Sequence, residues 1–160
     1  MPLSQILLGV EVKNLPGKVF NEVINVLDSE VKALKQRESF RLIILFGSSD
    51  KKKRILQRFV QTVKQSELKT AYTTLEDISG KDRVEFDEDV IIIDRLDYFL
   101  FQPPLGRLSL KLKLSRFFDE VRHRPATLII LGVTSDPALK YFFSKFKAFS
   151  SKAEILELAS

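Results

Sequence analysis

The chain switches repeatedly between two hydrophobic periods. In "KVFNEVINVLDSEVKAL", Val19, Val23, Val26, Leu27, Val31 and Leu34 recur every few positions, which places them on one face of an α-helix. "FRLIILFG" follows as a short, unbroken run of mostly branched apolar residues, the pattern of a strand buried on both faces. "KKRILQRFVQTVKQ" returns to helical spacing through Ile55, Leu56, Phe59, Val60 and Val63. "LKTAYTTL" predicts a strand, "DVIIIDRLDYFL" begins as a buried strand, and "TLIILGV" is a third continuous apolar run. "FQPPLG" predicts a loop, because proline and glycine break both periods. "DPALKYFFSKFKAF" predicts a helix with Asp136 as N-cap, Pro137 at the first position and a stripe of Leu139, Phe142, Phe143 and Phe146. "AEILEL" fits a last short strand.

Two stretches fit more than one period. "SQILLGVEV" suits a short strand or the lead-in to a helix. In "RLSLKLKLSRFFDEV", Leu108, Leu110, Leu112 and Leu114 alternate as in a strand, while Leu110, Leu114, Phe117 and Val121 fit a helix. Its length and the alternation around it favour helix. Strands alternating with helices imply a mainly parallel sheet covered on both sides, a three-layer α/β/α sandwich. Sites in such sheets form at the carboxyl ends of strands. Three stretches would lie there: Gly47 to Arg54, Asp94 to Asp97, and Thr134 to Asp136.

Composition narrows the chemistry. The 160 residues are expected to form a single domain over 1–160, and 44% hydrophobic content is enough for a sizeable core. There is no cysteine, so thiol catalysis, disulfides and cysteine metal sites are excluded. The one histidine, His123, cannot build a multi-histidine metal site. No apolar run reaches the length of a membrane span, and "MPLSQILLGVEVK" lacks the basic start and cleavage site of a signal peptide. An intracellular protein, in cytoplasm or nucleus, is the expectation. The net charge of +5 is unevenly spread. Residues 76–97 are acidic, whereas basic clusters occur at Lys51 to Arg54, Arg107 to Arg124 and Lys140 to Lys152. Such clusters suit solvated helix faces or nucleic-acid contact.

The three strand-end stretches together resemble the P-loop NTPases, above all the AAA+ core, with RecA-like domains as a related possibility. "GSSDKKKR" is similar to a Walker A loop, with Gly47 as its first glycine and Lys53 as the phosphate lysine. "VIIIDRLD" is similar to a Walker B strand, with Asp94 as the magnesium-linked acid. In "LIILGVTSDP", Ser135 occupies the place of the polar sensor residue. In "FKAFSSKAEILEL", Ser151 and Lys152 match the first two places of a motif found in clamp-loader subunits.

The departures are as informative as the matches. Lys52 replaces a glycine that lets the backbone approach phosphate. Arg54 replaces the hydroxyl that binds magnesium, Arg95 the glutamate that polarises water, and Lys152 the arginine offered to a neighbouring subunit. Gly47, Lys52, Lys53, Arg54, Asp94, Arg95 and Ser135 thus form a vestigial nucleotide site, with no catalytic residue, metal or cofactor expected. Asp94 is expected to pair with Lys53 or another nearby base. A plain strand–helix turn at Gly47 to Arg54 is the alternative.

The expected function is an ATPase-inactive AAA+ or RecA-like domain without a helical lid. It would act as a structural or regulatory interaction subunit of a larger ATPase assembly in DNA replication, recombination or repair. Its partner would be another ATPase subunit or a second copy, with nucleic acid also possible. Lys51, Lys52, Lys53, Arg54 and Lys152 are the candidate contact residues. A weakly active nucleotide-binding ATPase and a basic DNA-binding module are the competing classes.

Overall fold

The computed structural model describes residues 20–38, 40–121, 123–133 and 153–158. Helix α1 (Phe20–Ala33) runs into a 3-10 turn (Leu34–Gln36) and then strand β1 (Arg41–Phe46). Helix α2 (Ser49–Gln65) leads to β2 (Thr70–Thr74), and the short α3 (Leu75–Ser79) precedes β3 (Val90–Asp94). A 3-10 helix (Leu96–Phe101) and the long α4 (Pro104–Val121) connect β3 to β4 (Leu128–Val133), and β5 (Ala153–Glu157) completes the sheet. The sheet has five strands in the order β2-β3-β4-β1-β5, and every pairing is parallel.

Alternation along each strand explains the continuous apolar runs. Leu42, Ile44, Ile91, Ile93, Ile129 and Leu131 pack on one side, against α3, the second 3-10 helix and α4. Ile43, Leu45, Val90, Ile92, Leu128 and Ile130 pack on the other, against α1 and α2. With both faces covered there is no position for a polar alternate, so β1, β3 and β4 read as unbroken hydrophobic stretches. The three-layer α/β/α sandwich with a parallel sheet is the observed fold.

The helical stripe holds at Val23, Leu27 and Val31 of α1 and continues to Leu34 in the 3-10 turn, while Val26 is half-buried and Val19 lies outside the described residues. The ambiguous leucine run is helical. Leu110, Leu114, Phe117, Phe118 and Val121 form the buried side of α4. "FQPPLG" departs from the loop expectation: Phe101 ends the 3-10 helix and Pro104 opens α4. Proline is favourable at a first helical position, where its missing N–H forfeits no bond. The strand expected at "AEILEL" is β5. The predictions for "SQILLGVEV" and for the helix from Asp136 fall outside the described residues.

Two polar anchors hold the edges of this framework. Arg41 pairs with Glu30 of α1 and Glu154 of β5, tying both to β1. Arg124 donates to the carbonyl oxygens of Phe86 and Glu88 at 2.6 and 2.8 Å, fixing the acidic loop ahead of β3.

Candidate functional site

At the carboxyl end of β3, Asp94 is buried and lies on the α2 side of the sheet, in line with Val90 and Ile92. Each of its oxygens is engaged. Oδ1 accepts from Lys52 Nζ at 2.9 Å and from the Arg95 backbone N–H at 2.8 Å. Oδ2 accepts from the Tyr72 hydroxyl at 2.7 Å. Tyr72 comes from β2, where it pairs in register with Ile92. Lys52 comes from the first turn of α2, across β4.

β4 separates β1 from β3, so Lys52 must reach over it. The side chain missing at Gly132 leaves that room. A Cβ on Gly132 would stand 2.2 Å from Asp94 Oδ1. The glycine of "LIILGV" therefore serves the Asp94 carboxylate, although three strands contribute to the arrangement.

Lys52 is 2% exposed, a rare state for lysine unless it is paired. Its place follows from the helix. Lys52, Leu56, Phe59 and Val63 are spaced by four, three and four residues, so the lysine extends the buried stripe of α2 by one turn. Its aliphatic stem packs with the core, and its ammonium meets a charge at the strand end. Lys53, one residue on, is exposed. The partner of Asp94 is thus Lys52: a nearby base of the cluster does pair with the acid, as expected, and it is Lys52 in place of Lys53. The basic cluster Lys51 to Arg54, taken whole as candidate contact residues, is also divided. Lys52 faces inward, neutralised by Asp94, while Lys51, Lys53 and Arg54 fan around the outside of the helix.

The connection from β1 to α2 is short. β1 ends at Phe46 and α2 begins at Ser49, so Gly47 and Ser48 alone join them. Gly47 owes its identity to packing. A Cβ there would meet Leu158 Cδ1 at 2.4 Å and its Cβ at 3.0 Å. The Gly47 N–H donates to the Val133 carbonyl at 3.1 Å, so it is held as an extension of the sheet.

Arg95 follows Asp94 with φ of 57°, in the left-handed region that non-glycine residues rarely adopt. That turn aims its N–H back at Asp94 Oδ1 and leaves its side chain exposed. The Tyr72 phenol is held above its ordinary range. Burial contributes most, and its hydrogen bond to Asp94 and that residue's charge add to it, while the Arg95 cation opposes. Tyr72 was not singled out in the sequence. Its one legible signal was an aromatic at the middle of a predicted strand, and only the pairing places it two residues from Thr74, the register partner of Asp94. Ser135 and Lys152 lie outside the described residues. Among the described residues no cluster of histidine, cysteine, aspartate and glutamate could hold a metal ion. No described helix is long and apolar enough to cross a membrane.

The parallel sheet, with β4 between β1 and β3 and helices on both faces, is a P-loop NTPase-like α/β fold. The comparison with solved structures agrees. DnaA from Aquifex aeolicus, in its AMPPCP-bound structure, superposes with a TM-score of 0.51 at 15% identity, over 91% of this chain and 48% of that one. Domain III of the Thermotoga maritima replication initiation protein DnaA gives a TM-score of 0.53 at 17% identity, over 90% of this chain and 65% of that one. The chain thus spans about half of the first and less than two thirds of the second. At these identities the likeness is one of fold. No protein-family model and no curated protein matches the sequence.

Proposed function

We propose that this is an AAA+-type domain that has given up nucleotide chemistry and acts by contact. In this reading it is a structural or regulatory subunit of a larger ATPase assembly. The observation that carries it is the buried Lys52–Asp94 pair, 2.9 Å long, beside a connection of only Gly47 and Ser48. A phosphate cradle needs several backbone N–H groups converging from a loop. Here α2 starts too early to leave such a loop. A magnesium-linked acid must offer an oxygen to the metal's shell. Both Asp94 oxygens are instead occupied by donors of this chain, and Lys52 brings a positive charge to the carboxylate without an ion. The residues present do not fit a magnesium nucleotide. Arg95, at the place of a water-polarising glutamate, cannot serve as a base, because a guanidinium keeps its proton.

A role in DNA replication, recombination or repair is supported by the fold likeness to the two DnaA structures, one of which is described as a replication initiation protein. That support is an analogy of fold. The competing reading, a nucleotide-binding domain, draws on the AMPPCP bound to the Aquifex relative.

Titration calorimetry with ATP and magnesium decides between them. The expected result is no saturable heat at micromolar protein and no phosphate release on prolonged incubation. Micromolar binding of ATP would overturn the proposal, and turnover would establish the competing reading. A third class, DNA binding through the +5 net charge, is checked with labelled duplex and single strands over a salt series. Log affinity falling by about 0.9 per neutralised phosphate would establish it for duplex DNA.

A further inference from the structure

β2 ends the sheet, with β3 as its one neighbour among the described residues. The Lys69 carbonyl accepts from the Asp89 and Val90 N–H groups at 3.0 Å, so it faces β3. Backbone direction alternates along a strand, so Ala71 and Thr73 face β3 as well, in the register that pairs Thr70 with Val90 and Tyr72 with Ile92. Thr70 and Tyr72 therefore turn their N–H and C=O groups to the open edge. Such an edge is a template for another strand unless charge or proline guards it, and the β2 sequence, TAYTT, holds neither.

Beside this edge, between β2 and α2, runs a groove of about 620 Å³. Leu56, Val60 and the Tyr72 ring give it apolar lining, and Lys53 and Lys64 give it charge. Neither lysine makes an ion pair among the described residues. None of Asp50, Glu67, Glu76, Asp77 and Asp89, the acids nearest in sequence or pairing, lines the groove. Asp94, which holds the Tyr72 hydroxyl, is buried and already matched by Lys52.

We infer that the β2 edge and this groove receive an extended segment of another protein, added as a further strand, with an apolar side chain between two acidic ones on the α2 face. The free backbone groups of Thr70 and Tyr72 would hold its main chain, and alternate side chains would enter the groove. Lys53 and Lys64 are eleven residues apart on α2, about 16 Å along the helix. Residues four apart in a strand share a face and lie about 13 Å apart, and flexible lysine stems cover the difference. The apolar residue midway between the acids then meets Leu56 and Val60. A second copy fits less well, because a two-fold edge pairing brings Lys53 and Lys64 of its own α2 to the same cations. A nucleic-acid backbone would match the charge but not the strand edge. Only the Tyr72 ring is shared with the Asp94 site, so the inference goes beyond the nucleotide reading and stands whatever ATP does.

The probe is a synthetic peptide of about nine residues with blocked ends. It has valine at its centre, glutamate two places to either side and threonine elsewhere. The pattern reads alike in both directions, so it suits parallel or antiparallel addition. A control carries lysine for glutamate, and two further versions carry N-methyl groups on one or the other alternate set of amides. The full chain is expected to bind the glutamate peptide about tenfold or more tightly than the lysine peptide, since two ion pairs become two like-charge contacts. One N-methylated version should lose binding and the other keep it, because an added strand turns only alternate amides to its neighbour. Lys53→Glu with Lys64→Glu should reverse the preference for glutamate over lysine. Binding to neither peptide, equal binding to both, a preference untouched by the lysine variant, or an equal effect of the two N-methylated versions overturns the inference. A dimer in sedimentation that excess peptide disperses would assign the edge to a second copy, and would overturn it too. So would displacement of the peptide by oligothymidylate, which would assign the groove to nucleic acid.

Discussion

Lys52 Nζ and Asp94 Oδ1 stand 2.9 Å apart in the core, linking the first turn of α2 to the tip of β3 over Gly132. Two charges that are each almost fully buried carry a large desolvation penalty, which only close pairing offsets. Removing one partner therefore costs more than the pair itself contributes. Lys52→Met is expected to lower unfolding free energy by about 3 kcal/mol, near the foot of the usual range. The loss stays near the foot because Asp94 keeps its bonds to Tyr72 and to the Arg95 N–H. Urea denaturation measures it. The double variant Lys52→Met, Asp94→Leu should recover much of that loss, since no charge is then left unpaired. A double variant weaker than Lys52→Met alone would show that the pair is net stabilising.

Lys53 provides the contrast. It is exposed and lines an open groove with Leu56, Val60, Lys64 and Tyr72. Lys53→Ala is expected to shift stability by no more than about 0.5 kcal/mol, as surface substitutions usually do. Measured side by side with Lys52→Ala, it distinguishes the two lysines. Equal losses would contradict the observed register of the helix.

The two glycines should differ in cost. Gly132→Ala places a methyl 2.2 Å from Asp94 Oδ1, and that carboxylate is fixed by three donors. A loss of about 1–3 kcal/mol is expected, as for overpacked cores. Gly47→Ala meets first the end of the Leu158 side chain, which can turn aside. Its loss should be smaller, and Leu158→Ala should relieve it. Thermal or urea unfolding of Gly132→Ala, Gly47→Ala, Leu158→Ala and the double variant Gly47→Ala, Leu158→Ala tests both statements.

Tyr72 makes the alkaline limb of stability sensitive to the site. Its phenol is held above the ordinary value near 10. Below about pH 10 both folded and unfolded chains keep the proton, and stability is at its full value. As pH rises from there to the folded value, the unfolded chain ionises and the folded one does not, so stability falls through that window. Tyr72→Phe should flatten this limb. In a phenolate absorbance titration, Asp94→Asn should lower the Tyr72 midpoint only in part, because burial is the larger cause. A complete return to the free phenol value would assign the shift to the carboxylate instead.

Much of this protein was decided by local pattern. The unbroken runs at β1, β3 and β4 announced strands covered on both faces, and the helical stripes of α1 and α2 announced what covers them. The phase of each stripe depends only on backbone geometry, so the layered α/β/α fold was legible before any contact was known. Asp94 was visible as the acid ending a buried strand. The phase of α2 even contained Lys52, four residues before Leu56, though a motif read in linear register pointed to Lys53. Sequence order could not supply the neighbours. That β4 lies between β1 and β3, that Gly132 opens the space there, and that Tyr72 reaches the other oxygen of Asp94 all follow from strand order and register. These are set by the packing of residues far apart in the chain. The two sides of α4 show the same division. Periodicity marked leucines all around the helix, and only the sheet beneath it decided which of them are core and which face outward.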